Sequence, residues 1–185
     1  MLATKRLLTC HRGVHRISGV IPQLEQLAGR IGGALAYAPA AMAQEIKAAL
    51  QEATATPTWL SPERRRASHE NYARHLLYGD PGGRFSILAL VWDHGQMSPI
   101  HGHYCWCAVG IYQGMLTESH YREPGAGGLP VLIGSAPRAP GTLSFDAASS
   151  GIHRIANESG APAISLHVYG VGKNGISTGV NRIYA

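Results

Sequence analysis

Pro99-Ile100-His101-Gly102-His103 is the stretch around which the rest of the chain is read. Residues i and i+2 of a strand point to one face, so a strand here presents two imidazoles side by side. Gly102 between them lets the backbone pass close to whatever the rings hold. Two imidazoles turned inward beside a glycine cost desolvation unless something uses them. A third ring, His153, sits in the apolar run Gly151-Ile152-His153-Arg154-Ile155, which also reads as a strand. A small barrel brings inward side chains of different strands together. His101, His103 and His153 are therefore the candidate metal ligands. Imidazole suits zinc, copper, iron or nickel. No Asp or Glu adjoins the His pair in sequence to complete a two-His-one-carboxylate iron triad. Three neutral rings would leave a divalent ion its full charge and favour anionic ligands in its open positions.

Outward from this pair the chain has the texture of a β fold. Tyr72 to Tyr78 alternates and ends at the turn Gly79-Asp80-Pro81-Gly82-Gly83. Arg84 to Trp92 is a strong strand, and Asp93-His94-Gly95-Gln96 turns into the His pair. Ala108 to Tyr112 and Met115 to Tyr121 form a hairpin about Gln113-Gly114. Further strands are expected at 129–133, 141–146, 152–157 and 163–170, with a short one ending the chain at Val180 to Tyr184. Short strands at regular spacing, punctuated by turns, mean a sandwich or barrel. Cys105 precedes Cys107 by two residues and would face the same way in a regular strand. Arg154, next to His153, should face away from the site, and His94 flanks it.

Helices precede the strands. Ile21, Leu24, Leu27, Ala28 and Ile31 recur at spacings of three and four from Ser18 onward, with Gly32-Gly33 as the stop. A second helix is expected over Ala40 to Glu52, and Ser61-Pro62-Glu63 has the form of the start of a short third. The expected organisation is a leader at 1–17 and one domain at 18–185, with the barrel beginning near residue 70.

The totals agree with one globular domain: 185 residues, 45% hydrophobic and 15% charged, with Gly 23 and Pro 11 suited to many turns. The net charge of +5 fits an anionic small substrate, and no recognition motif accompanies the run Arg64-Arg65-Arg66, so no nucleic-acid partner is expected. Three cysteines, an odd number, suit a reducing cytoplasm. No apolar run approaches the roughly 20 residues of a membrane span, and no secretory signal pattern is present.

The residues around the pair resemble a known family. Gly95, then His101-x-His103, Cys107 and Gly114 resemble the first cupin motif, with Cys107 at the position where most cupins have Glu. Pro140-Gly141, His153 and Asn157 resemble the second. Cupins that lack the Glu are similar to thiol dioxygenases of the cysteine dioxygenase type. Ser165-Leu166-His167-Val168-Tyr169 resembles that family's Ser-His-Tyr relay, and Tyr72-Ala73-Arg74 its substrate-carboxylate segment. The likeness spans roughly residues 60–170.

That resemblance implies a mainly β cupin, a jelly-roll type small β-barrel preceded by two or three N-terminal helices. It implies Fe(II) on His101, His103 and His153, with a small-molecule thiol and O2 as partners. Both oxygen atoms would enter a sulfinate product. Arg74 would pair with the substrate carboxylate, and Ser165 would orient His167, which orients the catalytic Tyr169. Cys107 and Tyr169 would be partners in a candidate thioether crosslink. Arg74 favours cysteine as substrate. Val171-Gly172 after the relay and Leu76 to Pro81 look more like relatives that use 3-mercaptopropionate, which ranks second, ahead of mercaptosuccinate. A non-catalytic cupin that binds or senses a small molecule is the alternative of another class.

Overall fold

Leu24, Leu27, Ala28 and Ile31 form the buried stripe of α1 (Pro22–Ala34) in a computed structural model that describes residues 22–56, 58–123, 125, 128–148 and 151–184. The expected leader at 1–17, and the start of the first helix at Ser18, lie outside the described residues. Gly32-Gly33 do not end the helix as expected. It runs on to Ala34, which is buried with Ile31, and that packing outweighs the low helix propensity of glycine. α2 (Pro39–Ala55) is longer than Ala40 to Glu52, with Pro39 in its first turn. Trp59 Nε1 donates to the Ala53 carbonyl at 2.8 Å and so satisfies one acceptor of the helix end. The third helix reduces to one 3-10 turn over Pro62–Arg65.

The arginine run does not form a purely solvated face. Arg64 donates to the Leu76 carbonyl at 2.9 Å, and the Arg65 guanidinium lies 5.6 Å from the centroid of the Tyr112 ring.

Ten strands follow among the described residues: β1 (Ala73–Gly79), β2 (Ser86–Trp92), β3 (His101–His103), β4 (Cys107–Gln113), β5 (Leu116–Arg122), β6 (Val131–Arg138), β7 (Leu143–Asp146), β8 (Ile152–Ala156), β9 (Ala163–Tyr169) and β10 (Asn181–Ile183). They form two antiparallel five-stranded sheets, in the orders β1-β2-β9-β4-β7 and β10-β3-β8-β5-β6. β6 starts later than expected and runs through Pro137, which an edge strand tolerates because one side of it has no ladder to supply.

The first sheet is covered on both faces, so β2 and β9 are buried at every position. Ile87, Ala89, Val91, Ile164, Leu166 and Val168 share a cluster with α1 and α2. The alternate residues Leu88, Leu90, Trp92 and Tyr169 join a second cluster, to which the other sheet contributes Leu116 and Ile155. Each such aliphatic side chain removed from water contributes about 1.5–3 kcal/mol. The second cluster is the barrel interior, and it holds the polar groups that matter. No helix among the described residues is long and apolar enough to cross a membrane.

Candidate metal centre and active site

β3 and β8 are neighbours, and His101 stands directly opposite His153 in their register. Alternation puts His103 on the same face as His101. Ring centroids are 5.1 Å apart for His101–His103, 4.5 Å for His101–His153 and 5.1 Å for His103–His153. One nitrogen from each of the three lies within 4.8 Å of the others, and all three residues are buried. Gly102 has a different role from the one expected. Alternation turns it away from the rings, and a Cβ there would come within 3.1 Å of the Gly151 carbonyl oxygen. The glycine makes room for the backbone just before β8 rather than for a ligand.

Each ring spends its Nδ1 on an acceptor. His101 Nδ1 meets the Pro99 carbonyl at 3.0 Å, His103 Nδ1 meets Asp146 Oδ2 at 2.9 Å, and His153 Nδ1 meets Glu118 Oε1 at 2.7 Å. Nδ1–H must donate in each case, which leaves the Nε2 lone pairs for a ligand. Nε2 of His153 is buried and has no hydrogen-bond partner. Burial, helped by the neighbouring His153, pushes His101 down to about 3, so it is neutral at ordinary pH. Three convergent imidazoles, each with Nδ1 on an acceptor and one with an orphaned Nε2, fit a divalent transition metal.

The two carboxylates correct the expectation of an uncompensated metal charge. Glu118 comes from β5 and Asp146 from the end of β7, both far from the His pair in sequence. Burial raises the Glu118 carboxyl, but the His153 hydrogen bond and the Arg138 charge outweigh it and hold the group at about 2. His120, opposite His153 in the β5–β8 register, adds a fourth imidazole with its ring 6.5 Å from that of His153. Sequence reading missed Glu118, Asp146 and His120. The alternation of Glu118 and His120 was available as a signal, but it does not say which face turns inward.

The expected relay assembles on β9, facing the barrel interior. Tyr169 Oη is 3.0 Å from His167 Nδ1, and His167 Nε2 is 2.9 Å from Ser165 Oγ. Trp92, which was not foreseen, extends it: its Nε1–H donates to Ser165 Oγ at 2.9 Å. An indole can only donate, so Ser165 accepts from Trp92; His167 Nε2 is the other partner of this buried hydroxyl, and its single proton is satisfied by donating there. The ring then carries its proton on Nδ1 and donates to Tyr169. The phenol proton is left free to point elsewhere. Burial pushes Tyr169 well up and His167 well down, so the phenol stays protonated and the imidazole neutral. The Tyr169 ring lies 6.3 Å from that of His103.

Arg74, on β1, lines a small cavity together with Tyr72, Trp92, His101, His167 and Tyr169. The structure thus brings it to the side of the cluster where the relay ends. A larger cavity of about 320 Å3 opens on the other side, against His103, His153, Cys107, Glu118, His120 and Asp146. Cys107 stands directly opposite Tyr169 in the β4–β9 register, and burial pushes its thiol well up. Cys105 lies in the bend before β4, so the alternation expected to align it with Cys107 does not apply. Arg154 pairs with Ser119, one position off the register pairing His153 with His120, and so faces away as expected. His94 is exposed and bonds the Ser159 carbonyl, outside the site.

The family profile of cysteine dioxygenase type I matches residues 38–175. The chain belongs to that family. It is 32% identical over 105 residues to cysteine dioxygenase type 1 of Danio rerio, a match covering 53% of this chain and 50% of the relative. It is 29% identical over 132 residues to the Homo sapiens protein of that name, covering 68% and 64%. The chain thus spans half to two thirds of the length of these relatives. A solved Thermus thermophilus protein is similar at 23% identity and TM-score 0.47, covering 60% of this chain and 95% of that one. A Klebsiella pneumoniae protein described as having a double-stranded β-helix domain gives 17% identity and TM-score 0.47, covering 66% and 92%. Family membership and the two sheets make the fold a mainly β cupin barrel behind two N-terminal helices.

Proposed function

We propose that the chain is a mononuclear non-haem Fe(II) thiol dioxygenase, oxidising a small carboxylate-bearing thiol to its sulfinate, RSH + O2 → RSO2H. Cysteine is the first choice of substrate, then 3-mercaptopropionate, then mercaptosuccinate. The observation that carries the reading is the convergence of three buried imidazoles, each with Nδ1 on an acceptor, beside the Tyr169 ring at the end of its relay. Iron held by His101, His103 and His153 would supply the redox chemistry joining O2 to sulfur. The remaining work falls to the chain. Arg74 binds the substrate carboxylate, for which a planar guanidinium is well shaped. Tyr169 offers its hydroxyl proton to the reacting atoms, while His167, Ser165 and Trp92 hold the phenol in place. Ser165, His167 and Tyr169 are buried, which keeps water from the relay and strengthens its hydrogen bonds, while Arg74 is exposed on β1.

The same reading makes Cys107 and Tyr169 partners of a thioether crosslink, supported by their facing positions on adjacent strands. Peptide mapping that recovers only separate Cys107 and Tyr169 peptides from iron- and O2-exposed protein would remove this part alone.

The test of the main reading is O2 uptake by iron-loaded protein with cysteine, 3-mercaptopropionate, mercaptosuccinate and cysteamine. Thiol-dependent uptake with sulfinate as product is the expected result; none with any thiol refutes it. Arg74→Ala should raise KM by about 10- to 100-fold for the preferred carboxylate thiol, the loss expected of a charge-assisted pair. Cysteamine, which has no carboxylate, should be unaffected. An equal effect on cysteamine removes the assigned role.

A further inference from the structure

Two of the three clustered rings are backed by a carboxylate, and the third is not. Glu118 is 5% exposed, with one oxygen on His153 Nδ1 and the other accepting from Arg138 Nε at 2.8 Å. Its carboxylate is therefore held between an imidazole and a guanidinium. Asp146 receives His103 Nδ1–H on one oxygen and the Ala148 backbone N–H, at 3.1 Å, on the other. His101 has only the neutral Pro99 carbonyl. A carboxylate behind an imidazole fixes its tautomer, aims its free nitrogen and makes it a stronger donor. Burying a carboxylate is costly unless it is paired, and here the ring is one of the partners that make burial tolerable.

We propose that Glu118 and Asp146 are positioning residues of the metal centre, holding His153 and His103 as Nδ1–H tautomers and offsetting the charge of a divalent ion. This rests on the reading of the three histidines as a metal site. Two carboxylates offset the charge of one divalent ion, and the Arg138 guanidinium paired with Glu118 leaves one net positive charge at the centre. Arg74 adds to the attraction this has for an anionic thiol. The three ligands also become unequal, with His101 the weakest donor. The purely structural alternative is that Glu118 serves only to pair with Arg138 and join β5 to β6.

The test is Co2+ titration of the metal-free protein, followed by absorption, for wild type, Glu118→Gln and Asp146→Asn. Each variant keeps a carbonyl oxygen for the ring N–H and loses the charge. The expected result is binding weakened about 10- to 100-fold in each, with a shifted cobalt spectrum. Thermal melts of the metal-free forms control for folding, and Asp146, the more exposed of the two, guards against collapse of the Glu118 variant. Unchanged cobalt affinity and spectrum in a variant that melts like wild type overturns the inference while leaving the dioxygenase reading intact. So does a lowered melting temperature with unchanged affinity. Wild type that binds neither Co2+ nor Fe(II) overturns both.

Discussion

Trp92 shows how much one donor can decide. Its indole stacks on Tyr72 at 4.3 Å between ring centroids, and its N–H sets the direction of every hydrogen bond from Ser165 to Tyr169. Trp92→Phe should keep the stacking and free Ser165 to reverse. Loss of a buried donor is worth about 1–3 kcal/mol of stability. The reversal should lower kcat without loss of bound iron, read by turnover together with metal content. Tyr169→Phe removes the hydroxyl itself while keeping the ring, and kcat should fall by about 100-fold with metal content unchanged. A Tyr169→Phe enzyme with full kcat would show that the phenol proton has no part in the reaction.

At the scale of elements, turns determine where the strands begin. Gly114 closes the β4–β5 hairpin at φ +74°, and a Cβ there would lie 2.8 Å from Ala163 Cα. Gly83 has a similar φ of +71° but open space around it. Gly114→Ala should cost about 1–3 kcal/mol for the left-handed backbone, and more for the backbone clash; Gly83→Ala should cost only the former. Chemical denaturation of the two variants checks the order. In the β1–β2 turn, hydrogen bonds from the Arg84 side chain and backbone hold the Asp80 carboxyl at about 2, against an ordinary 3.8. A folded-state value below the unfolded one stabilises above the unfolded value and is lost as pH falls through the folded one. Stability should therefore drop between pH 3.8 and about 2, and Asp80→Asn should flatten that slope in denaturation midpoints measured across the window.

For the whole molecule, the metal site ties β3 to β8 within one sheet, while the relay hangs from the other sheet. Metal should raise the melting temperature, with about 2.7 kcal/mol of added stability at a free concentration 100 times Kd, and a chelator should reverse it. A melting temperature indifferent to Fe(II), Co2+ and chelator would remove the metal from the folded state. The β character, the two main helices and most strands were legible because alternation and three-four spacing are local. The His-x-His pair and the Ser165-His167-Tyr169 alternation were legible because the residues of each lie within a few positions of one another. The misread parts depended on neighbours. Gly32-Gly33 stay helical because Ile31 and Ala34 are packed, and β6 accommodates Pro137 because it is an edge.

By itself the sequence determined the candidate ligand set. Spacing of two puts His101 and His103 on one face of any strand, and the motif pairs them with His153. Only the tertiary structure decided what stands behind those rings and how the relay is polarised. Glu118, Asp146 and Trp92 are 35, 43 and 73 residues from His153, His103 and Ser165. Local periodicity fixes the face on which a side chain lies. Which distant strand comes to face it depends on sheet order and register, which are set by packing of the whole barrel.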